Sequence, residues 1–239
     1  MMKTIIVMPV ANEADTMSAV IEQILALPYA DLHLYPVVDD YSKDATADII
    51  RSYEHTGRVK CIYYKESKGV VSCYLEGFRQ ALLDGADQVI EMDGGGSHRP
   101  DEIKLFMDEL ARGHDCVWGS RFTQGGEVTG QPLYRRILSN GGTILANTVL
   151  GTKLKDMTSG FEAFRADVLK GMDLNAFLST GHMYQTEMRY YCRNYNTIEV
   201  PIHYTGSSSS LKLHSVTEAL SILGKLKSNE KLVMKKENA

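Results

Sequence analysis

Ile90-Glu91-Met92-Asp93-Gly94-Gly95-Gly96-Ser97-His98-Arg99-Pro100 carries a short apolar strand through an acidic residue into a glycine-rich turn, with a proline where a helix begins. An α/β sheet places its ligand-binding groups at such strand ends. Asp93 offers a hard oxygen to a divalent cation, and three consecutive glycines let a backbone approach a diphosphate closely. Taken alone, the segment reads equally well as an ordinary strand-to-helix turn whose Asp93 satisfies nearby amides, so its neighbours decide.

On both sides, short apolar runs alternate with longer segments of helical period. Thr4 to Val10 predicts a first strand and Asn12 to Leu27 a helix, with Ala19, Val20, Ile24 and Leu27 on one side. Leu34 to Asp39 predicts a second strand, and Ser42 to Thr46 supplies turn and N-cap residues for a helix to about Tyr53. Val59 to Tyr64, Val89 to Asp93 and Cys116 to Gly119 read as further strands, with a helix over Gly69 to Leu83. This βαβαβ order calls for a mostly parallel sheet with right-handed crossovers and helices on both faces.

After Arg121, the polar run Thr123 to Gln131 predicts a mobile loop over a site. Arg135 to Leu150 and Met183 to Arg193 read as helices, Asp156 to Phe164 as extended chain, and Thr197 to Tyr204 as the closing strand. Gly206 to Ser210 has a linker's composition, though such a run can equally wrap a phosphate. Residues 1–212 thus form the body, and residues 213–239 an amphipathic helix with a basic tail. Leu213, Val216, Leu220, Leu223 and Leu226 recur at helical spacing, ahead of Lys225, Lys227, Lys231, Lys235 and Lys236. That pattern suits packing on the same domain, on a second copy of the chain, or on an anionic membrane surface.

Composition narrows the function. With 239 residues and 44% hydrophobic content the chain can bury a full core, and a formal charge of -4 argues against a nucleic-acid binder. Cys61, Cys73, Cys116 and Cys192 form no CxxC pair or Cys/His cluster, so reduced thiols in a cytoplasmic protein are expected. No run approaches the roughly 20 apolar residues of a membrane span, which predicts a soluble or peripheral protein.

Asn12 and Glu13 follow the first strand, Asp39 and Asp40 end the second, and Asp93 ends the fourth, so acids converge on one sheet edge. Ionised carboxylates gathered there need donors or a metal, and a nucleotide supplies both.

With these residues in place, the chain resembles the inverting GT-A glycosyltransferases of the family that includes dolichol-phosphate and polyprenol-phosphate mannosyltransferases, from about Thr4 to Lys212. The matching pieces are Met8 to Glu13, Val37 to Thr46, Lys68-Gly69 with Gly77, Met92-Asp93 through Pro100, and Gly119 to Phe122. Gly125 to Val128, Pro132 to Arg136, Asp156 to Phe161, Gln185 to Met188 and Glu199 to Ile202 follow in the family's order. The resemblance implies a GT-A fold and sugar transfer from a nucleotide-diphospho-sugar, with inversion, to a lipid phosphate or a saccharide.

It also implies roles. Pro9, Asn12, Glu13, Asp39, Asp40, Lys68 and Asp93 would hold the nucleotide, and Asp93 would bind Mg2+ or Mn2+. Arg121 and Arg135 would bind an acceptor phosphate, since a guanidinium fork fits phosphate, unless both are structural. An ionised phosphate needs no strong base, whereas a hydroxyl acceptor would need an acid such as Glu187, which alternatively pairs with an arginine. His98 reads as a satisfied turn residue or partner of the metal loop, and His182 as lining the acceptor site.

The chain departs from the pattern at three places. Gly95 stands where the second Asp of Asp-x-Asp belongs, which weakens metal binding unless Glu91, Ser97 or His98 compensates. Asn140 replaces an Arg, and Gly206 to Ser210 replaces an Arg-containing segment, leaving Lys212 as the nearest base. A nucleotide-sugar binder without turnover and a nucleotidyltransferase are the alternatives, although Met8 to Glu13 lacks the basic glycine-rich signature of the latter.

Overall fold

The computed structural model describes residues 2–206 and 214–228. The chain runs β1 (Thr4–Val10), α1 (Ala14–Leu25), β2 (Leu32–Asp39), α2 (Thr46–Ser52), β3 (Ile62–Tyr64), α3 (Val70–Leu83), β4 (Gln88–Glu91), α4 (Ile103–Ala111) and β5 (Cys116–Ser120). It continues through β6 (Glu127–Thr129), α5 (Leu133–Leu150), β7 (Glu162–Arg165), α6 (Ala166–Lys170), α7 (Tyr184–Tyr191), β8 (Thr197–Pro201), β9 (His203–Thr205) and α8 (His214–Ser228). A seven-stranded sheet has the order β3-β2-β1-β4-β7-β5-β8, parallel except for β7, which runs antiparallel to β4 and β5.

Every residue of β1 is buried, because both faces of the sheet are covered. Alternation along the strand splits the core: Ile5 and Val7 pack with Tyr74 and Phe78 of α3, while Ile6, Met8 and Val10 pack with Met17, Ile21 and Ile24 of α1. Burying each such aliphatic side chain contributes about 1.5–3 kcal/mol. Gly77 permits the closest approach of α3, since a Cβ there would lie 2.2 Å from Val7 Cγ1.

Four expectations are corrected. The run Thr197 to Tyr204 divides at Ile202, where β8 pairs with β5 and β9 leaves the main sheet to pair with β6. The loop expected over Thr123 to Gln131 is consequently anchored at its middle by the parallel β6–β9 pair. Only Glu162–Arg165 of the stretch from Asp156 to Phe164 is strand, because Asp156 to Ser159 is held by side-chain bonds instead. Of the predicted third strand, Val59 keeps a single bridge to Leu34.

Ile222, Leu223 and Leu226 of α8 pack into the core cluster on the α3 side, so this part of the apolar stripe is spent on the chain's own domain, while Leu220 is exposed. The exposed apolar face lies instead on α5, where Tyr134, Ile137, Leu138, Ile144 and Leu145 face outward. Among the described residues no helix is long and apolar enough to cross a membrane. Residues 207–213, which include Lys212 and most of the Gly/Ser run, and the lysines beyond 228 lie outside the described residues.

Candidate functional site

Parallel pairing of β1 with β2 and β4 aligns Val10 with Val38 and Val7 with Glu91, so the segments carrying Asn12-Glu13, Asp39-Asp40 and Asp93 leave the sheet at one edge. Asn12 makes the reversal from β1 to α1 at φ 57, a left-handed conformation that Asn tolerates. Its amide N–H donates to Ser42 Oγ at 3.0 Å and its Oδ1 accepts the Lys43 amide at 2.9 Å. The amides of Glu13 and Ala14 donate to Thr46 Oγ1 and Asp44 Oδ2. The sequence marked Asp44 only as a turn residue; here the hydroxyl and amide of Thr46 and the amide of Ala14 hold its carboxyl below the usual range.

Beside this junction lies an open cleft of about 550 Å³ lined by Asp39, Asp40, Tyr41, Lys43, Ser67 and Gly69. Asp39 Oδ1 accepts the Tyr41 amide at 2.9 Å, and Asp40 Oδ1 accepts the Tyr63 hydroxyl at 3.2 Å. Lys68 is exposed just before Gly69, whose φ of 103 opens α3. Pro9 is buried within β1.

The three glycines after Asp93 differ in their surroundings. A Cβ at Gly94 would lie 2.4 Å from Val10 Cγ1 and 2.9 Å from the Pro9 carbonyl, so that glycine allows chain-to-chain packing. A Cβ at Gly95 would lie 3.2 Å from Glu13 Oε1. Gly96 makes a left-handed turn at φ 71.

Asp93 is held from beneath. Tyr74 donates its hydroxyl to Asp93 Oδ1 at 2.7 Å, and its ring stacks on Tyr184 with centroids 5.6 Å apart. The Asp93 amide donates to His98 Nδ1 at 3.2 Å, which leaves the proton of a neutral imidazole on Nε2, 3.8 Å from Asp93 Oδ2. Burial pushes the His98 pKa down, and the ring stacks on Phe161. His98 is thus a buried donor beside Asp93, and its protonated nitrogen is not poised to ligate a cation.

Glu91 does lie on the same face as Asp93, yet it is turned into the core, where Tyr184 donates to its Oε2 at 3.1 Å and its Oε1 has no partner. Burial first, then the charges of Glu162 and Asp93, raise its pKa well above the carboxylate range. An acid enclosed in the core against Tyr184 is not turned toward the position of the missing second Asp. The Ser97 carbonyl accepts the Thr205 amide. Among the described residues no group of three or more His, Cys, Asp or Glu could hold a metal ion, and Asp93, with its side chain 36% exposed, is the member of the loop that fits one.

At the other end of the site Arg121 is buried in a forked pair with Asp156, Nε to Oδ2 at 2.7 Å and Nη2 to Oδ1 at 2.8 Å, while Nη2 also donates to Thr158. Its Nη1 makes no hydrogen bond among the described residues. Burial alone would raise Asp156, but the Arg121 bonds and the charges of Arg121 and Arg189 outweigh it and hold the carboxyl at about 2. Arg189 pairs with Glu162 at 2.8 Å and donates to the carbonyls of Asp156 and Ser159, tying α7 to the loop before β7. Glu162, cross-strand from Glu91, is pushed up to about 7 by burial against the opposing effect of Arg189.

Glu187 is fully buried and accepts the amides of Leu178 and Ser179, each at 2.8 Å, and the Tyr191 hydroxyl at 2.7 Å. Among the described residues it pairs with no arginine; it secures the loop that carries the exposed His182. Arg135 lies in α5, and its side chain is outside those described. Sequence reading missed Tyr74, Tyr184, Glu162 and Arg189. The available signal was charge and hydroxyls inside otherwise apolar periodic runs, which becomes a site only when α3, α7, β4 and β7 meet.

The family model described as glycosyl transferase family 2 matches residues 5–172. The chain is 31% identical over 208 residues to the polyprenol monophosphomannose synthase of Mycolicibacterium smegmatis, covering 85% of this chain and 77% of that one. It is 33% identical over 208 residues to the undecaprenyl-phosphate mannosyltransferase of Micrococcus luteus, covering 85% and 84%. Among solved structures, the glucosyl-3-phosphoglycerate synthase of Mycobacterium tuberculosis with Mn2+, UDP-glucose and glycerol 3-phosphate superposes with a TM-score of 0.67 at 14% identity, covering 95% of this chain and 79% of that one.

Proposed function

This chain belongs to glycosyl transferase family 2, and from that premise we propose that it moves a hexose from a nucleotide-diphospho-sugar to a polyprenyl phosphate, as its relatives' names describe for them. The observation that carries the acceptor is the state of Arg121 and Glu187. Asp156 fixes two nitrogens of Arg121 and leaves Nη1 to meet an anion, while Glu187 has its oxygens committed to backbone amides and a tyrosine. A site with an anchored guanidinium, and with Glu187 already committed, suits an acceptor that arrives ionised.

The nucleoside occupies the cleft of Asp39 and Asp40, with Pro9, Asn12, Glu13 and Lys68 around it and the diphosphate above Asp93. Mg2+ or Mn2+ fits at Asp93, because Tyr74 fixes Oδ1 and leaves Oδ2 open; when bound, such a cation neutralises charge on the departing diphosphate. Arg121, with Arg135 of α5 as the second proposed phosphate binder, orients the acceptor phosphate. One phosphate oxygen forms the new bond to the anomeric carbon as the bond to the diphosphate breaks, and the nucleoside diphosphate leaves with the electron pair. Attack from the opposite face inverts that carbon, and no proton has to move.

A peripheral membrane position accords with a lipid acceptor. The apolar face of α5 adjoins α8, whose last turn carries Lys225 and Lys227, and this pairing suits an anionic bilayer surface.

Incubating the chain with UDP- or GDP-hexoses, Mn2+ and undecaprenyl phosphate tests the reading. Transfer to the lipid phosphate, lost on Arg121→Ala and unchanged in its pH profile on Glu187→Gln, is expected. Transfer only to free saccharides, or nucleotide binding without any turnover, would refute the lipid-phosphate acceptor.

A further inference from the structure

We propose that Glu13 stands in for the carboxylate that the metal loop lacks, so that a divalent cation is held between Glu13 and Asp93 once a nucleoside diphosphate supplies further oxygens. The inference deepens the reading above and rests on it, since it needs the nucleotide at this sheet edge.

Gly95 is the starting point. Its backbone is not in the left-handed region, unlike that of Gly96, so conformation alone does not demand glycine there. What a side chain would meet is Glu13: an added Cβ would lie 3.2 Å from Oε1 and 3.7 Å from Oε2. The space an aspartate would use is therefore bounded by a carboxylate delivered from the start of α1.

A second observation points to the same place from below. His98 is buried with Nε2 unpartnered, and the nearest carboxylate is Asp93 Oδ2 at 3.8 Å. Tyr74 already occupies Oδ1. The loop thus presents one oriented oxygen over a buried donor that still lacks an acceptor, an arrangement left incomplete by the protein's own groups. Two protein carboxylates are few for a cage, which agrees with the absence of any three-acid cluster among the described residues. They are sufficient for Mg2+ or Mn2+ that takes its other ligands from diphosphate and water.

Electron paramagnetic resonance of free Mn2+, titrated with the full-length chain alone and with UDP or GDP, reads the site without any turnover. Wild type is expected to take up Mn2+ at least about 10-fold more tightly with nucleotide than without. Glu13→Gln is expected to weaken that uptake by about 10-fold or more, with a clearly smaller loss of metal-free nucleotide affinity by calorimetry. Gly95→Asp added to Glu13→Gln should recover most of the loss. Gly95→Asp alone should tighten nucleotide-free Mn2+ binding, which keeps the test open should Glu13→Gln fail to fold. Unchanged Mn2+ uptake in Glu13→Gln, an equal loss of metal-free nucleotide binding, or tight uptake by wild type without nucleotide would each overturn the inference while leaving the donor reading intact. Wild type that binds neither UDP nor GDP would overturn both.

Discussion

Arg121 and Asp156 show how much a single pair decides. Neither could be left alone in the interior, and together they hold the end of β5 against the loop before β7 while one guanidinium nitrogen stays uncommitted. Asp156→Asn leaves Arg121 buried without its counter-charge, and chemical denaturation at pH 7 should show a loss of about 3–5 kcal/mol. The pH dependence has a definite sign. A carboxyl held at about 2 when folded stabilises fully above its ordinary value near 3.8 and loses that contribution as pH falls toward 2. The gap between wild type and Asp156→Asn should therefore narrow by about 2 kcal/mol over that window; a constant gap would mean that the pair carries no differential charge interaction. The arginine itself was legible as an anion binder, but its partner 35 residues away was not, because no local period links the two.

Elements inherit their roles from what they pack against. Gly77 is the contact point of α3 with β1 and β2, where a Cβ would press on Val7 Cγ1 at 2.2 Å and Val37 Cγ2 at 3.0 Å. Gly77→Ala should cost about 1–3 kcal/mol in urea unfolding despite alanine's better helix propensity, and a neutral or stabilised variant would contradict that packing. The strands were readable as apolar runs bounded by turns, yet the antiparallel course of β7 was not, since pairing direction is a property of neighbours. The outcome over α5 and α8 has the same cause. Periodicity made α8 amphipathic, and the fold packed Ile222, Leu223 and Leu226 on the chain's own domain, the first of the readings its pattern offered, while leaving the face of α5 open. Ile137→Glu with Leu138→Glu should reduce co-sedimentation with anionic vesicles by about 10-fold and change stability by no more than about 0.5 kcal/mol, because both side chains are exposed. Undiminished vesicle binding would remove α5 from the membrane-facing surface.

At the scale of the whole molecule, acids from separate segments meet at the sheet edge formed by β1, β2 and β4. A ligand bound there stabilises the folded chain by mass action. Nucleoside diphosphate with Mn2+ at about 100 times its dissociation constant should add about 2.7 kcal/mol and raise Tm by roughly 5–10 °C in scanning fluorimetry. No shift with either UDP or GDP would remove the donor site. The sequence by itself determined the layered α/β architecture, the strand-end placement of Asn12, Glu13, Asp39, Asp40 and Asp93, and the family, because hydrophobic period and turn chemistry act over a few residues. Only the tertiary structure decided that Glu91 is an enclosed acid with a raised pKa, that His98 donates beside Asp93, that Glu187 is committed to a loop, and that Glu13 borders the space left at Gly95. Those facts depend on burial and on partners from distant segments, and the electrostatic free energy of a charge is set by the groups that surround it in space.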